Sequence, residues 1–147
     1  MAGMQISRCF LIIVSLLSSS LIAQAPSSEL LRPVATMKQL MLEIIHPSSN
    51  DVQLAASRAP ATDQEWAALK RSAMILAESG NLLIMRNSAA DWVSASRSLI
   101  DVGSAAYKAG ESHDAKALGA LADRLDASCT SCHQKFRPAL FDPDPRR

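Results

Sequence analysis

The sequence has few aromatic residues: three Phe, two Trp and one Tyr, or 4% of 147. β-Sandwiches and barrels fill their cores with aromatic and β-branched side chains. Here the β-branched residues are scattered, and no polar–apolar alternation of useful length marks a half-buried strand. An excess of one charge is missing too, with 15 Lys and Arg against 14 Asp and Glu. Without the first 25 residues, whose only charged side chain is Arg8, 14 of each sign remain. There is no basic stripe to bind a phosphate backbone or an anionic membrane surface. Cysteine is scarce at three residues, too few for a disulfide-built scaffold.

The N-terminus reads as a signal peptide over residues 1–25, leaving a domain of residues 26–147. Arg8 supplies the positive end, Phe10 to Leu17 with Leu21 and Ile22 the apolar stretch, and Ala23-Gln24-Ala25 a small-residue cleavage signal. Ser18-Ser19-Ser20 interrupts the stretch and leaves it short for a stable membrane span. Cys9 lies in this segment, so the mature chain is expected to keep only Cys129 and Cys132.

The remaining pattern predicts four helices and an all-α fold, an antiparallel four-helix bundle. The first is expected from Ser28 to His46, stopped by Pro47, with Leu30, Val34, Met37, Met41 and Ile44 as its seam. Residues 47–50 read as a turn and 51–57 as a short helix. The second helix, capped by Thr62 or Asp63, carries Trp66, Leu69, Ala73, Leu76, Gly80 and Leu83 on one stripe. The third starts near Ser88 and carries Trp92, Ser96, Leu99, Gly103 and Ala106. The fourth begins after Ser112, carries Leu118, Ala122, Leu125, Cys129, Cys132 and Phe136, and stops at Pro138. Residues 138–147 read as a flexible tail. Small residues on the inner stripes imply either close helix approach or space for a flat ligand, and the pattern alone favours neither. Glycine inside a helix costs roughly 1 kcal/mol against alanine, so some compensation is required.

Cys129-Thr130-Ser131-Cys132-His133 is the Cys-x-x-Cys-His signature of covalent c-type haem attachment. Residues three and four apart share one helical face, so both thiols and the imidazole address one patch. The thiols then add to the two haem vinyl groups and His133 ligates the iron from the proximal side. Two other chemistries use such residues. A thiol-redox site needs its Cys-x-x-Cys at a helix N-terminus near a βαβ unit, and this motif lies turns into a helix. A zinc site would recruit His46 or His113, but adjacent Cys132 and His133 are awkward partners for one tetrahedral ion.

The run from Cys129 to Arg137, Cys-x-x-Cys-His-x-x-aromatic-Arg, resembles the class II cytochromes, the cytochrome c′-like four-helix bundles with haem on the last helix. Thr36 to Met41, Ile44-Ile45-His46-Pro47, and Trp66 with Ala77 to Leu83 are similar to a periplasmic subgroup with a Met-rich first helix. The resemblance covers nearly the whole mature chain. It implies one covalent haem c and periplasmic electron transfer with redox partner proteins. It also leaves room for a homodimer. No nucleophile–base pair or second metal site points to an enzyme, and the neutral mature chain is expected to bind neither nucleic acid nor, after cleavage, a membrane.

In that family the first helix faces the distal side of the haem. A methionine there makes the iron six-coordinate for electron transfer, whereas an apolar residue leaves it open to small gases such as NO and CO. Met41 is the expected distal ligand, matching the subgroup by its distance from Pro47, with Met37 in reserve. Both also read as core packing. His46 and His113 read as solvated, Trp66 and Trp92 as core aromatics, and Arg124 and Arg137 as surface cations within reach of a haem propionate. Asp123 and Asp126 read as solvated charge.

Overall fold

The first helix begins where two polar side chains satisfy its free N–H groups. Thr36 Oγ1 accepts from the Gln39 N–H at 3.2 Å, and Gln39 Oε1 accepts from the Thr36 N–H at 3.0 Å, a reciprocal cap. The computed structural model describes residues 32–141. The expected signal segment 1–25, seam residue Leu30 and the tail beyond Phe141 therefore lie outside the described residues.

Helix α1 (Met37–Gln39) runs without a break into a π-helical segment (Leu40–Ile45) and then into α2 (His46–Ser57). The expected stop at Pro47 and the turn at 47–50 are thus corrected: the chain is helical through both. Proline lacks an N–H and crowds the carbonyl four residues before it, and the turn that precedes it is widened. The His46 N–H reaches the Met41 carbonyl, five residues back, so the helix passes through Pro47 on a widened turn that accommodates the missing donor and the ring.

The wide turn also shifts the buried register. Leu40, Ile45, Ser48 and Val52 are buried. Five residues of regular α-helix would set Leu40 and Ile45 about 140° apart; the π turn brings both inward. The expected seam is displaced accordingly. Val34 is 99% exposed and not helical, while Met37, Met41 and Ile44 are only partly buried beside the core.

Helices α3 (Asp63–Ile84) and α4 (Ala90–Glu111) form the central antiparallel pair. Thr62 caps α3 by accepting from the Glu65 N–H at 3.2 Å. The Glu65 carboxylate accepts from the Ala61 and Thr62 N–H groups at 2.7 and 3.2 Å. These donors, with Arg58 beside them, hold its pKa below the usual carboxylate value. Both predicted stripes are buried: Trp66, Leu69, Ala73, Leu76, Gly80 and Leu83 on α3, and Trp92, Ser96, Leu99, Gly103 and Ala106 on α4.

The glycines mark close approach between these helices rather than ligand space. A Cβ on Gly103 would lie 2.6 Å from the Ala77 nitrogen and 3.0 Å from the Ala73 carbonyl oxygen. One on Gly80 would lie 2.8 Å from the Ser96 carbonyl oxygen. The obstacles include rigid backbone, which explains why alanine is not used.

Helix α4 ends with His113 in the left-handed region (φ 52°) and the Asp114 N–H bonded back to the Ala109 carbonyl at 2.8 Å. The expected fourth helix is two pieces, α5 (Ala115–Gly119) and α6 (Ala122–Phe136). Gly119 weakens the helix, and a tight bond from the Leu121 N–H to the Leu118 carbonyl turns the chain there while both leucines stay buried. Helix α6 ends before Arg137, which is non-helical, as the residue before a proline tends to be. Pro138–Leu140 then make one 3-10 turn.

Every regular element among the described residues is helical, and four helical arms pack together: the α1–α2 run, α3, α4 and α6. None of these helices is long and apolar enough to cross a membrane.

Helix propensity alone makes Gly103→Ala stabilising by about 1 kcal/mol. The contact with Ala77 predicts the reverse, a loss of about 1–3 kcal/mol from overpacking. Thermal and urea unfolding of the variant decide the sign.

Candidate functional site

Helix α6 presents Cys129, Cys132, His133 and Phe136 on one face, because steps of three, four and seven residues return to the same side. Leu125, one turn earlier, is buried and anchors that face to the core. At the other end Phe136 meets Trp92 edge to face, with centroids 4.9 Å apart and planes at 71°. Trp92 is fixed by its own Nε1–H, which donates to the Leu83 carbonyl at 2.7 Å. Lys135 bonds to Asp91 at 2.5 Å, joining α6 to the start of α4; both side chains are exposed, so this pair contributes little.

Across from this face stand the two methionines of the first helical arm. A cavity of about 470 Å³ is lined by Met37, Lys38, Met41 and Leu42 on one side and by Trp92, Cys132, His133, Phe136, Arg137 and Leu140 on the other. A smaller space of about 30 Å³ lies deeper, lined by Met41, Ile45, Leu83, Ala95, Leu99, Ser128, Cys129, Cys132 and His133. Met41, Cys132 and His133 line both. Cofactor sites are typically apolar clefts of about 300–1,000 Å³ with a few placed polar groups, and this cavity has that character. The π turn matters here, since Leu40 points to the core while the neighbouring Met41 faces the cavity.

Cys129 and Cys132 are free thiols, both half-buried. Burial pushes the Cys129 thiol pKa up, and the Asp126 carboxylate and Cys132 add to the shift. Burial alone pushes Cys132 up. Neither thiol is activated, and the motif lies inside α6 rather than at its N-terminus. Both features work against thiol–disulfide exchange, which needs accessible thiolate.

The other candidates separate by position. His46 is exposed, with Nδ1 3.4 Å from the Asn50 amide, and it lines neither space. His113, expected to be solvated, is exposed but stacks on Trp66 with centroids 4.9 Å apart and planes at 8°. Trp66 is thus engaged away from the cavity, whereas Trp92 is part of its wall. Arg124 lines a separate surface groove with Ser98, Asp101 and Ser131, so it does not share the mouth with Arg137. Asp123 and Asp126 are exposed, and Asp126 acts on Cys129 three residues on. No group of three or more His, Cys, Asp or Glu among the described residues is placed to hold a metal ion.

Three lining residues escape a reading by stripes. Lys38 and Leu42 fall off an unbroken α seam, and Leu140 lies in a segment that reads as a tail. Only the proline at 138, which favours a turn, hinted at the last.

The half-buried thiols fit the covalent group that the motif implies, because they stand one helical turn apart beside an imidazole, Cys132 on the wall of the large cavity and Cys129 on the small space next to it.

In the unmodified chain, Cys129 should react with iodoacetamide at pH 8 more slowly than a free cysteine. Asp126→Asn should speed that reaction about twofold, the worth of one charge three residues away on a helix, and leave Cys132 nearly unchanged. Peptide mapping of alkylation rates reads this; equal effects on both thiols would contradict the assignment.

No protein-family model, curated protein or solved structure matches this chain, so the functional reading rests on its own residues and their geometry.

Proposed function

We propose that the chain is an exported periplasmic c-type cytochrome that carries electrons on one covalent haem. The observation that supports this most is the convergence of Met41, Cys132 and His133 on one apolar cavity from opposite helical arms. In this reading Cys129 and Cys132 form the thioether links, His133 is the proximal iron ligand and Met41 the distal one, with Met37 in reserve. The bound group supplies a one-electron ferric–ferrous couple, and a thioether ligand favours the ferrous form.

The chain's own residues do the rest. The spacing on α6 sets the thiols and imidazole on one face. Trp92 and Phe136 wall the cavity, where they would exclude water from a bound group and lower the dielectric around it. The π turn lets the first arm keep Leu40 and Ile45 in the core while offering a sulfur to the cavity. The role is that of a carrier rather than an enzyme.

A pyridine haemochrome spectrum of the exported protein should show c-type haem, and its absence would sink the reading. The ferric wild type should be low-spin. Met41→Ala should convert it to high-spin and lower the reduction potential, while Met37→Ala should do neither. Ready CO binding by the reduced wild type would instead point to an open gas-binding site.

A further inference from the structure

The π turn sets which of two adjacent side chains the first arm offers to the cavity. It spans Leu40–Ile45, and its closing bond runs from the His46 N–H to the Met41 carbonyl. A π turn holds one residue more than the α turn it replaces. If the chain were α-helical through this point, with α2 in place, everything before the turn would rotate by one residue, about 100°. Met41 would then take the core position of Leu40, Leu42 the cavity position of Met41, and Lys38 that of Met37.

Little else in the arm opposes that second register. Leu40 is fully buried, but methionine replaces a buried leucine at small cost. Leu42 is 52% exposed at the cavity edge and would gain burial by moving onto its wall. The Thr36–Gln39 cap is local and turns with the arm. The bond from the Arg86 guanidinium to the Ala35 carbonyl, which ties the start of the arm to the end of α3, is long at 3.4 Å. π turns are rare, so this one requires a specific cause. Pro47 provides it: in a regular helix its ring would press on the Glu43 carbonyl and leave that oxygen without a donor.

We propose that Pro47 is a positioning residue for the distal ligand: it keeps the first arm in the wide-turn register that sets Met41, rather than Leu42, over the haem. The proposal rests on the haem reading above. It makes one residue of helical register the difference between an electron carrier and an open site for small gases. Pro47 is itself exposed and lines neither space of the site, so it acts only through the helix. The cost of proline in a regular helix corresponds to a population factor on the order of a hundred. That suffices to keep the second register empty in the wild type and to release it when the ring is removed.

The test uses the haem-loaded mature chain and reads the ferric spin state from visible and electron paramagnetic resonance spectra. Pro47→Ala should raise the high-spin fraction at least about tenfold and let the reduced protein bind CO. Either of two further changes should restore low-spin iron to the Pro47→Ala chain. Leu42→Met puts a sulfur at the position that the α register brings to the iron. Deletion of Glu43 removes the extra residue, so that Met41 returns to the cavity in a regular helix, four residues before His46. A mere loss of packing would be rescued by neither. With Pro47 intact, position 42 should stay away from the iron. Met41→Ala combined with Leu42→Met should therefore remain high-spin, and this arm of the test holds even if Pro47→Ala fails to assemble.

Unaltered low-spin iron in Pro47→Ala, or high-spin iron that neither further change rescues, would overturn the role of Pro47. So would low-spin iron in the chain carrying Met41→Ala and Leu42→Met. The haem assignment would stand in each case. Failure of the haem reading shows earlier and differently, as a wild type without a haemochrome spectrum or one whose spin state ignores Met41→Ala, and it would overturn both readings.

Discussion

The close contact of α3 with α4 is the constraint on which the rest depends. Gly103 lies against the Ala77 backbone and Gly80 against the Ser96 carbonyl, so the two longest helices pack without side-chain spacers. A short gap between axes keeps the pair stiff and leaves their large side chains to project sideways. Leu69, Leu76, Leu83, Trp92 and Leu99 then form the floor on which the other arms rest. The price is helix propensity at two glycines, offset by packing that any larger residue would disrupt.

Two arms lie on that floor from different directions, and each solves a local conflict in a way that shapes the cavity. The first must carry Pro47 inside a helix. It does so with a π turn that keeps Leu40 and Ile45 buried and turns Met41 outward from the core. Such wide turns often occur at functional positions. The last arm must set half-buried polar groups against apolar walls. Burial pushes both thiol pKa values up, the Asp126 carboxylate adds to the shift at Cys129, and the His133 imidazole opens onto the cavity.

Much of this was legible in the residues. The helical class, the inner stripes of α3 and α4, the Thr62 cap and the end of α6 before Pro138 follow from periodicity and local chemistry. The shared face of Cys129, Cys132 and His133 follows from spacing alone. Most of the departures have one physical cause: the chain leaves an uninterrupted 3.6-residue period in its first and last arms. Pro47 is a breaker in most helices, and nothing local says that a π turn will absorb it. A regular period places the seam on Val34 and Ile44, while the buried register steps from Leu40 to Ile45. The break at Ala120–Leu121 leaves no mark in the pattern, because Leu118, Leu121 and Leu125 keep helical spacing across it. The stacking of His113 on Trp66 joins residues far apart in sequence, which periodicity cannot report.

The central claim is that Cys129 and Cys132 are attachment points for a haem. Intact-mass spectrometry of the chain purified from the periplasm tests it most directly. The account predicts a mass above that of the mature polypeptide by one haem, with the added mass on the peptide that spans Cys129 to His133 and lost when both cysteines are replaced by alanine. A bare polypeptide mass, or one lower by the two hydrogens of a Cys129–Cys132 disulfide, would contradict it.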